Sequence, residues 1–180
     1  MLKVKAFVFS PVQENTYVLY NEQGKAIIID PGCYFSAEQE TLKNFLKDEK
    51  LEPIQLLNTH CHLDHVFGNN FVSEQYGLTA LFHQKEQAVI DRLPEGGARW
   101  GVPTEAYKGK VQYIQQDELI QFGDDVLKVL ETPGHSPGSV CFYHEAQDFL
   151  IGGDLIFKDG VGRTDLPGSN PIDLIKSIQT

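Results

Sequence analysis

The sequence predicts a mixed α/β fold in which helices cover the outside of β-sheets. In the first half, short apolar runs of β-branched residues alternate with helical patterns, whereas hairpin signals dominate from about residue 110 onward. Hydrophobic residues make up 41% and charged residues 22% of the 180 residues, which is ordinary globular usage. Because the chain shows no internal repeat, low-complexity tract or linker, we expect one domain spanning residues 1–180.

The N-terminal third predicts three strands followed by a helix. LKVKAFVFS, NTYVLY and AIIID are the strands, and AIIID is a continuous apolar run typical of a strand buried on both faces. This run ends at Asp30, followed by the turn signal Pro31-Gly32. Ser36 and Gln39 indicate a capping box for a helix over residues 36–50.

The remaining elements follow from the same patterns. PIQLLNTH and LTALFHQ indicate strands, FGNNFVSEQYG and KEQAVIDRL indicate helices, and the Gly- and Pro-rich segment PEGGARWGVPTEAYKG indicates a surface excursion. Beyond residue 110, turn signals at 122–124 and 145–148 predict hairpins. Asn170 as cap and Pro171 at the first helical position predict a final helix in NPIDLIKSIQT.

Charge and composition exclude several classes of partner. The formal net charge of −10 argues against nucleic acid and anionic membranes, since both require basic patches. No stretch approaches transmembrane length, and the first residues lack the apolar core of a signal peptide. Three cysteines at unrelated spacings do not form a disulfide framework, which favours a reducing cytoplasm.

Three of the six histidines fall in one window, His60-Cys61-His62-Leu63-Asp64-His65. Residues two apart in an extended chain point the same way, so His60 and His62 project together. If the chain then turns into a helix, Asp64 and His65 face a second point nearby. Neutral imidazoles and carboxylates suit zinc, iron or manganese, so the window predicts a metal site with two adjacent positions.

A metal site needs further donors downstream. His135 lies in the glycine-flanked loop TPGHSPGS, where a structural histidine has little purpose. Asp154 follows a double glycine among apolar residues, a costly place for a carboxylate unless it is paired or metal-bound, and its two oxygens could bridge two metals. Asp30 is either a turn-forming acid or an acid that orients a histidine N–H. By contrast, His83, His144 and Cys61 are interpreted as packing or surface residues.

The combined motifs His-x-His-x-Asp-His, Pro-Gly-His and Gly-Gly-Asp resemble the metallo-β-lactamase superfamily, and ENTYVL and IIIDPG extend the resemblance over the whole chain. GVGRTDLPGS, residues 160–169, resembles the short glyoxalase II-like hydrolases of the hydroxyacylglutathione hydrolase type. The resemblance implies a four-layer αββα sandwich with the metals at one edge. It assigns His60, His62, His135 and Asp154 to a first metal, and Asp64, His65 and the bridging Asp154 to a second.

The resemblance also implies a last histidine ligand near the C-terminus, in a turn after a further strand. No histidine follows His144 in this sequence. We therefore expect the last strand, the last helix and that ligand to be missing from these 180 residues.

The implied activity is hydrolysis of a small thioester of the S-lactoylglutathione type by a metal-bound hydroxide. Two zinc ions are the expected cofactor, with iron or manganese as alternatives, and Asp64 is expected to be catalytic as well as a ligand. Arg163, and less strongly Lys158, are candidates for binding an anionic part of the substrate.

Two alternatives to the thioester hydrolase remain open. The first is a persulfide dioxygenase of the same fold, which would hold one iron with His60, His135 and Asp154. The second is a truncated metal-binding domain without turnover. A β-lactam or lactone substrate also fits the fold, because a fold does not choose the reaction.

Overall fold

The N-terminal part of the chain builds a six-stranded mixed sheet. In the computed structural model, which describes residues 1–180, its strands are β1 (Lys3–Phe9), β2 (Glu14–Tyr20), β3 (Lys25–Ile29), β4 (Glu52–Leu57), β5 (Ala80–His83) and β6 (Val111–Ile114). The strands lie in sequence order, with β1 to β3 antiparallel and β3 to β6 parallel. The parallel part brings the C-terminal ends of β3, β4 and β5 to one edge of the sheet, where ligand sites of such sheets form.

The C-terminal part builds a four-stranded antiparallel sheet in the order β10-β9-β8-β7. Its strands are β7 (Leu119–Phe122), β8 (Asp125–Glu131), β9 (Val140–His144) and β10 (Phe149–Ile151), followed by the small hairpin β11 (Ile156–Phe157) and β12 (Gly160–Val161). The turns at 122–124 and 145–148 join antiparallel neighbours, which confirms both hairpin predictions.

Strand β3 connects the two cores of the molecule. Ile28 packs into a cluster shared with the helices, whereas Ile27 and Ile29 pack into a cluster between the two sheets. All three isoleucines are fully buried, and each contributes about 1.5–3 kcal/mol relative to an exposed side chain. The prediction that AIIID is buried on both faces is therefore confirmed.

The helices form the two outer layers. They are α1 (Ser36–Asp48), α2 (Leu63–Val66), α3 (Asn69–Tyr76), α4 (Gln87–Ile90), α5 (Leu93–Trp100) and α6 (Pro171–Gln179). The first five contribute side chains to the cluster that contains Ile28, and Leu174 of α6 packs against Cys141 of β9 on the far side. The order helix, sheet, sheet, helix is the expected αββα sandwich. None of the six helices has the length and apolarity that a membrane crossing requires.

One local prediction is wrong, and one helix was not predicted. Helix α1 begins at Ser36, after the N-cap Phe35, so the predicted Ser36–Gln39 capping box does not form. Instead, the Glu38 carboxylate accepts hydrogen bonds from the backbone N–H groups of Tyr34 and Phe35, which leaves Gln39 without that role. The segment predicted as a surface excursion is mostly exposed, as expected, but its first residues belong to α5, which begins at the buried Leu93.

Candidate metal centre

The predicted site residues meet at the edge where β3 and β4 end. Asp30 directly follows β3 and has a φ of 50°. This left-handed conformation turns its carboxylate toward the segment that follows β4. Its Oδ1 accepts the Thr59 backbone N–H at 2.7 Å and its Oδ2 accepts the Thr59 hydroxyl at 2.6 Å. These bonds fix the segment that carries His60 directly beyond β4.

Three imidazoles converge on one point. The ring centroids of His60 and His62 lie 4.8 Å apart, those of His60 and His135 4.9 Å, and those of His62 and His135 4.6 Å. The three rings are nearly perpendicular to one another, so their nitrogen atoms, rather than their faces, meet. One nitrogen from each ring lies within 4.8 Å of the other two, a spacing suited to a shared cation.

Asp154 joins this group to a second one. Its Oδ2 lies 3.3 Å from His135 Nε2, and its Oδ1 lies 3.2 Å from His65 Nε2. His60, His65 and Asp154 also place ligand atoms within 4.8 Å of one another. Asp64 stands beside them, with Oδ2 3.7 Å from His65 Nε2. The structure thus brings together all six residues predicted as ligands, around two adjacent points.

Hydrogen bonds on the outer side of the rings determine which nitrogen faces the centre. The Thr59 hydroxyl has one hydrogen, which it donates to Asp30, so the 3.1 Å contact with His60 requires His60 Nδ1 to be the donor. His135 Nδ1 likewise donates to the Arg163 backbone carbonyl at 2.8 Å, and His65 Nδ1 faces Asp30 Oδ2 at 3.0 Å. All three rings therefore direct Nε2 inward.

The electrostatics separate neutral from charged imidazoles. Burial lowers the pKa of His60 well below its usual range, and the neighbouring imidazoles act in the same direction. Burial and His135 lower the pKa of His62 to about 3. Burial also disfavours a charge on His65, but Asp30 and Asp154 outweigh it and raise the pKa of His65 above its usual range. Without a metal, His60 and His62 are neutral and His65 is a cation between carboxylates.

Burial raises the pKa of the Asp154 carboxyl, but the hydrogen bond with His65 and the imidazole charges outweigh burial and lower it. Asp154 is therefore ionised at neutral pH, as a metal-bridging carboxylate must be.

The inward-facing atoms fit a metal ion. His60 Nε2 is buried and has no hydrogen-bond partner, although buried polar atoms normally have one. Because the His60 hydrogen sits on Nδ1, this Nε2 presents a lone pair to the centre of the cluster. Neutral imidazole nitrogens and an ionised carboxylate oxygen form the donor set of zinc and iron sites.

Arg163 and Lys158, the predicted substrate-binding residues, lie outside the cluster. The Arg163 side chain is exposed and forms a bidentate ion pair with Asp165, with Nε to Oδ1 at 2.6 Å and Nη2 to Oδ2 at 2.7 Å. Its backbone carbonyl nevertheless holds His135, so the loop of Arg163 touches the candidate metal centre directly. Lys158 is exposed in the turn between β11 and β12.

The residues interpreted as packing or surface residues lie outside the candidate cluster. His144 is buried, stacks on Phe149 and lies 3.1 Å from Asp125. His83 Nδ1 accepts the Lys85 backbone N–H. Cys61 is a buried thiol, as expected for a residue that alternates with His60 and His62 along an extended segment.

Comparison with known proteins decides the family. The profile of the metallo-beta-lactamase superfamily matches residues 9–180. The chain belongs to this superfamily. Two curated members are the probable metallo-hydrolase YqgX of Bacillus subtilis, 34% identical over 98% of this chain and 82% of that protein, and the hydroxyacylglutathione hydrolase GloC of Haemophilus influenzae, 29% identical over 99% and 84%.

Two solved structures match almost the whole chain. The BLEG-1 B3 metallo-beta-lactamase has a TM-score of 0.89 and 34% identity, covering 99% of this chain and 84% of that one. TTHA1623 in a di-iron-bound form has a TM-score of 0.87 and 31% identity, covering 97% and 84%. The superfamily and the αββα sandwich predicted from the sequence are thus confirmed.

Two buried glutamates, Glu14 and Glu86, lie beside the candidate metal centre and were not predicted from the sequence. Glu14 lies under His65, with Oε1 3.8 Å from His65 Nδ1, and its Oε2 accepts the Thr16 hydroxyl at 2.9 Å. Glu86 is fully buried and accepts three hydrogen bonds from the loops that carry the histidines. The only signal for Glu14 is its place in ENTYVL, and no signal in the sequence distinguishes Glu86 from a surface acid of a helix.

Proposed function

We propose that the chain is a metal-dependent hydrolase whose metal centre is formed by the six converging side chains. The observation that carries this proposal is the inward direction of Nε2 in His60, His65 and His135, each set by a hydrogen bond on the opposite side of its ring. Outer bonds of this kind are typical of metal-ligating histidines. The proposed ligands are His60, His62, Asp64, His65, His135 and Asp154.

We divide these ligands between two metal ions. His60, His62 and His135 would hold the first, His65 and Asp64 would hold the second, and Asp154 would serve both. The opposite directions of the two Asp154 oxygens, one toward His135 and one toward His65, support this division. Zinc is the metal we expect, and the di-iron form of TTHA1623 supports iron as the alternative. The sequence resemblance also admits manganese.

Bound metal would supply a water molecule acidified to a pKa of about 7 and a Lewis acid for the substrate carbonyl. Asp30 would hold His65 through Nδ1 and His60 through Thr59, and so keep Nε2 of each ring available for the metal. Asp64 is about one-quarter exposed and accepts no hydrogen bond within the chain. We assign it as the catalytic group that would accept a proton from water at the carboxylate oxygen left free of the metal, in addition to its role as ligand.

For the substrate we propose a small thioester of the S-lactoylglutathione type. The activity named for GloC of H. influenzae supports this choice. Because the chain has a net charge of −10, an anionic thiol carrier needs cationic side chains at its binding site. Arg163 and Lys158, on the segment that follows Asp154, are suited to this role. The contact between the Arg163 carbonyl and His135 supports placing this loop beside the reacting carbonyl.

A second candidate is β-lactam hydrolysis, which the likeness to the BLEG-1 B3 metallo-beta-lactamase favours. Both reactions use a metal-activated water against a carbonyl carbon, so the metal centre alone does not separate them. They differ in the leaving group, which is a thiolate in one case and a ring nitrogen in the other.

Metal analysis combined with substrate competition tests the proposal. Protein purified without added metal should contain two equivalents of zinc or iron and cleave S-lactoylglutathione without oxygen, much faster than it cleaves a cephalosporin. One equivalent of iron with oxygen uptake on glutathione persulfide would instead support the dioxygenase. A cephalosporin cleaved faster than the thioester would overturn the choice of substrate.

The ligand assignment is tested by His135→Ala, with His144→Gln as the matched control. The first variant should lose tight binding of the first metal and the activity with it. The control replaces the histidine that stacks on Phe149 and should keep both. Full metal content and full activity in His135→Ala would show that the assignment is wrong.

A further inference from the structure

Glu86 is a carboxylate buried between the two loops that supply the histidines. It ends a 3₁₀ turn, Gln84–Glu86, that follows β5, and none of its surface is exposed. An isolated charge in such a place is strongly unfavourable, so a buried carboxylate requires hydrogen-bond donors around it. Glu86 has three of them.

The three donors come from both histidine-bearing loops. Oε2 accepts the backbone N–H of Cys61 at 2.7 Å. Oε1 accepts the Ser136 hydroxyl at 2.6 Å and the Gly138 backbone N–H at 2.7 Å. Cys61 separates His60 from His62, and Ser136 directly follows His135. One side chain thus joins the segment of the first two histidines to the segment of the third.

The chemistry of these contacts requires a carboxylate. All three partners are donors, and only an ionised carboxylate offers acceptors at both oxygens without a hydrogen of its own. An amide would direct its NH₂ group at one of the backbone N–H groups. Such charge-assisted bonds are short and roughly twice as strong as neutral ones, which suits them to fixing loop positions.

The fit around Glu86 leaves little room for movement. A Cβ atom at Gly138 would lie 3.0 Å from Glu86 Cγ, 3.1 Å from the Glu86 backbone nitrogen and 2.8 Å from His83 Nδ1. The loop after His135 therefore rests directly on the 3₁₀ turn, and only glycine allows this approach.

From these contacts we propose that Glu86 is a positioning residue that sets the separation of His135 from the His60–His62 pair. It touches neither the metal nor the substrate and acts through the backbone on both sides of the cluster. The inference rests on the proposed metal centre. It adds the group that keeps the His60–His62 segment and the His135 loop at a fixed distance. Removing a partner that bonds directly to a metal ligand weakens metal affinity 10- to 100-fold, and we expect an effect within this range for Glu86, which holds the backbone beside the ligands.

The test compares metal affinity with folding stability in Glu86→Gln. Zinc affinity of the full chain is measured by competition with a chromophoric chelator at a temperature where the metal-free variant is folded. We expect the dissociation constant for zinc to rise 10- to 100-fold. Leu42→Ala is the matched control, because Leu42 is fully buried on α1 and belongs to neither loop; it should lower the melting temperature without changing zinc affinity.

The outcomes separate this inference from the proposed function. A wild-type protein that binds no zinc or iron overturns the metal centre and the inference together. Wild-type binding with a Glu86→Gln affinity within twofold of it overturns the inference alone, and leaves Glu86 a structural residue. If Glu86→Gln does not fold, Ser136→Ala decides: it removes one of the three donors and should weaken zinc binding severalfold, whereas unchanged affinity refutes the positioning role.

Discussion

Replacing Glu14 by glutamine should stabilise the metal-free protein at neutral pH. Burial raises the pKa of Glu14 from 4.5 to about 9, and the opposing effect of His65 does not cancel this shift. The folded chain therefore holds a protonated Glu14 at pH 7, whereas the unfolded chain releases that proton. Its Oε1 is buried without a partner, so an amide loses no hydrogen bond at that atom.

The sign and size of the effect follow from proton linkage. A group whose pKa is raised on folding contributes its full stability below the unfolded pKa and loses it as the pH rises toward the folded pKa. Between pH 4.5 and 9 each pH unit removes about 1.4 kcal/mol from the wild-type free energy of unfolding. At pH 7 the accumulated cost is about 3 kcal/mol, which Glu14→Gln should recover.

Urea unfolding of the chelator-treated protein, followed by far-UV circular dichroism, measures this difference. The free energies of unfolding of wild type and Glu14→Gln should nearly coincide at pH 4.5 and diverge steadily up to pH 8. Glu74→Gln, at an exposed position of α3, is the control and should give no such divergence. A difference between wild type and Glu14→Gln that stays constant from pH 5 to 8 would refute the reasoning, because it would mean that Glu14 is ionised in the folded chain.

Three further changes test separate parts of the structure. Asp30→Asn removes an acceptor from Thr59 or His65 and should weaken zinc affinity 10- to 100-fold in a chelator competition, whereas unchanged affinity would contradict the role of Asp30 in orienting the imidazoles. Asn170→Ala removes the side chain that caps α6 at the Ile172 and Asp173 N–H groups, and should cost about 1 kcal/mol in urea unfolding; a cost near zero would show that packing alone holds the helix. Arg163→Ala should leave the melting temperature unchanged and raise KM for S-lactoylglutathione severalfold with little change in kcat, and an unchanged KM would remove Arg163 from substrate binding.

The site could be predicted from sequence where local geometry decides it. His60 and His62 converge because alternate residues of an extended segment share a side, and His65 follows on the short helix α2. Asp154 stood out because a carboxylate among apolar residues needs a partner. These signals depend only on residues that are close together in the sequence, so they can be recognised without a structure.

The parts that could not be predicted depend on contacts between distant segments. Glu86 has the helix-forming neighbours of an ordinary surface acid, and only the folded chain brings Cys61 and Gly138 to its two oxygens. Helix α5 could not be predicted for a similar reason. Its two adjacent glycines have low helix propensity, but Gly97 packs so closely against Val102 and Thr104 that a larger side chain would not fit.

Two buried carboxylates, Asp30 and Glu86, position the imidazoles in different ways. Asp30 orients the rings, because it accepts from His65 Nδ1 directly and from the Thr59 hydroxyl, which in turn accepts the Nδ1 hydrogen of His60. Glu86 acts on the backbone, because its donors lie beside His60, His62 and His135 but not on them. A carboxylate suits both tasks, since it only accepts and so fixes the direction of every bond around it. The two acids should therefore differ in one measurable respect: loss of Asp30 changes the tautomers of the rings, whereas loss of Glu86 changes the distances between them.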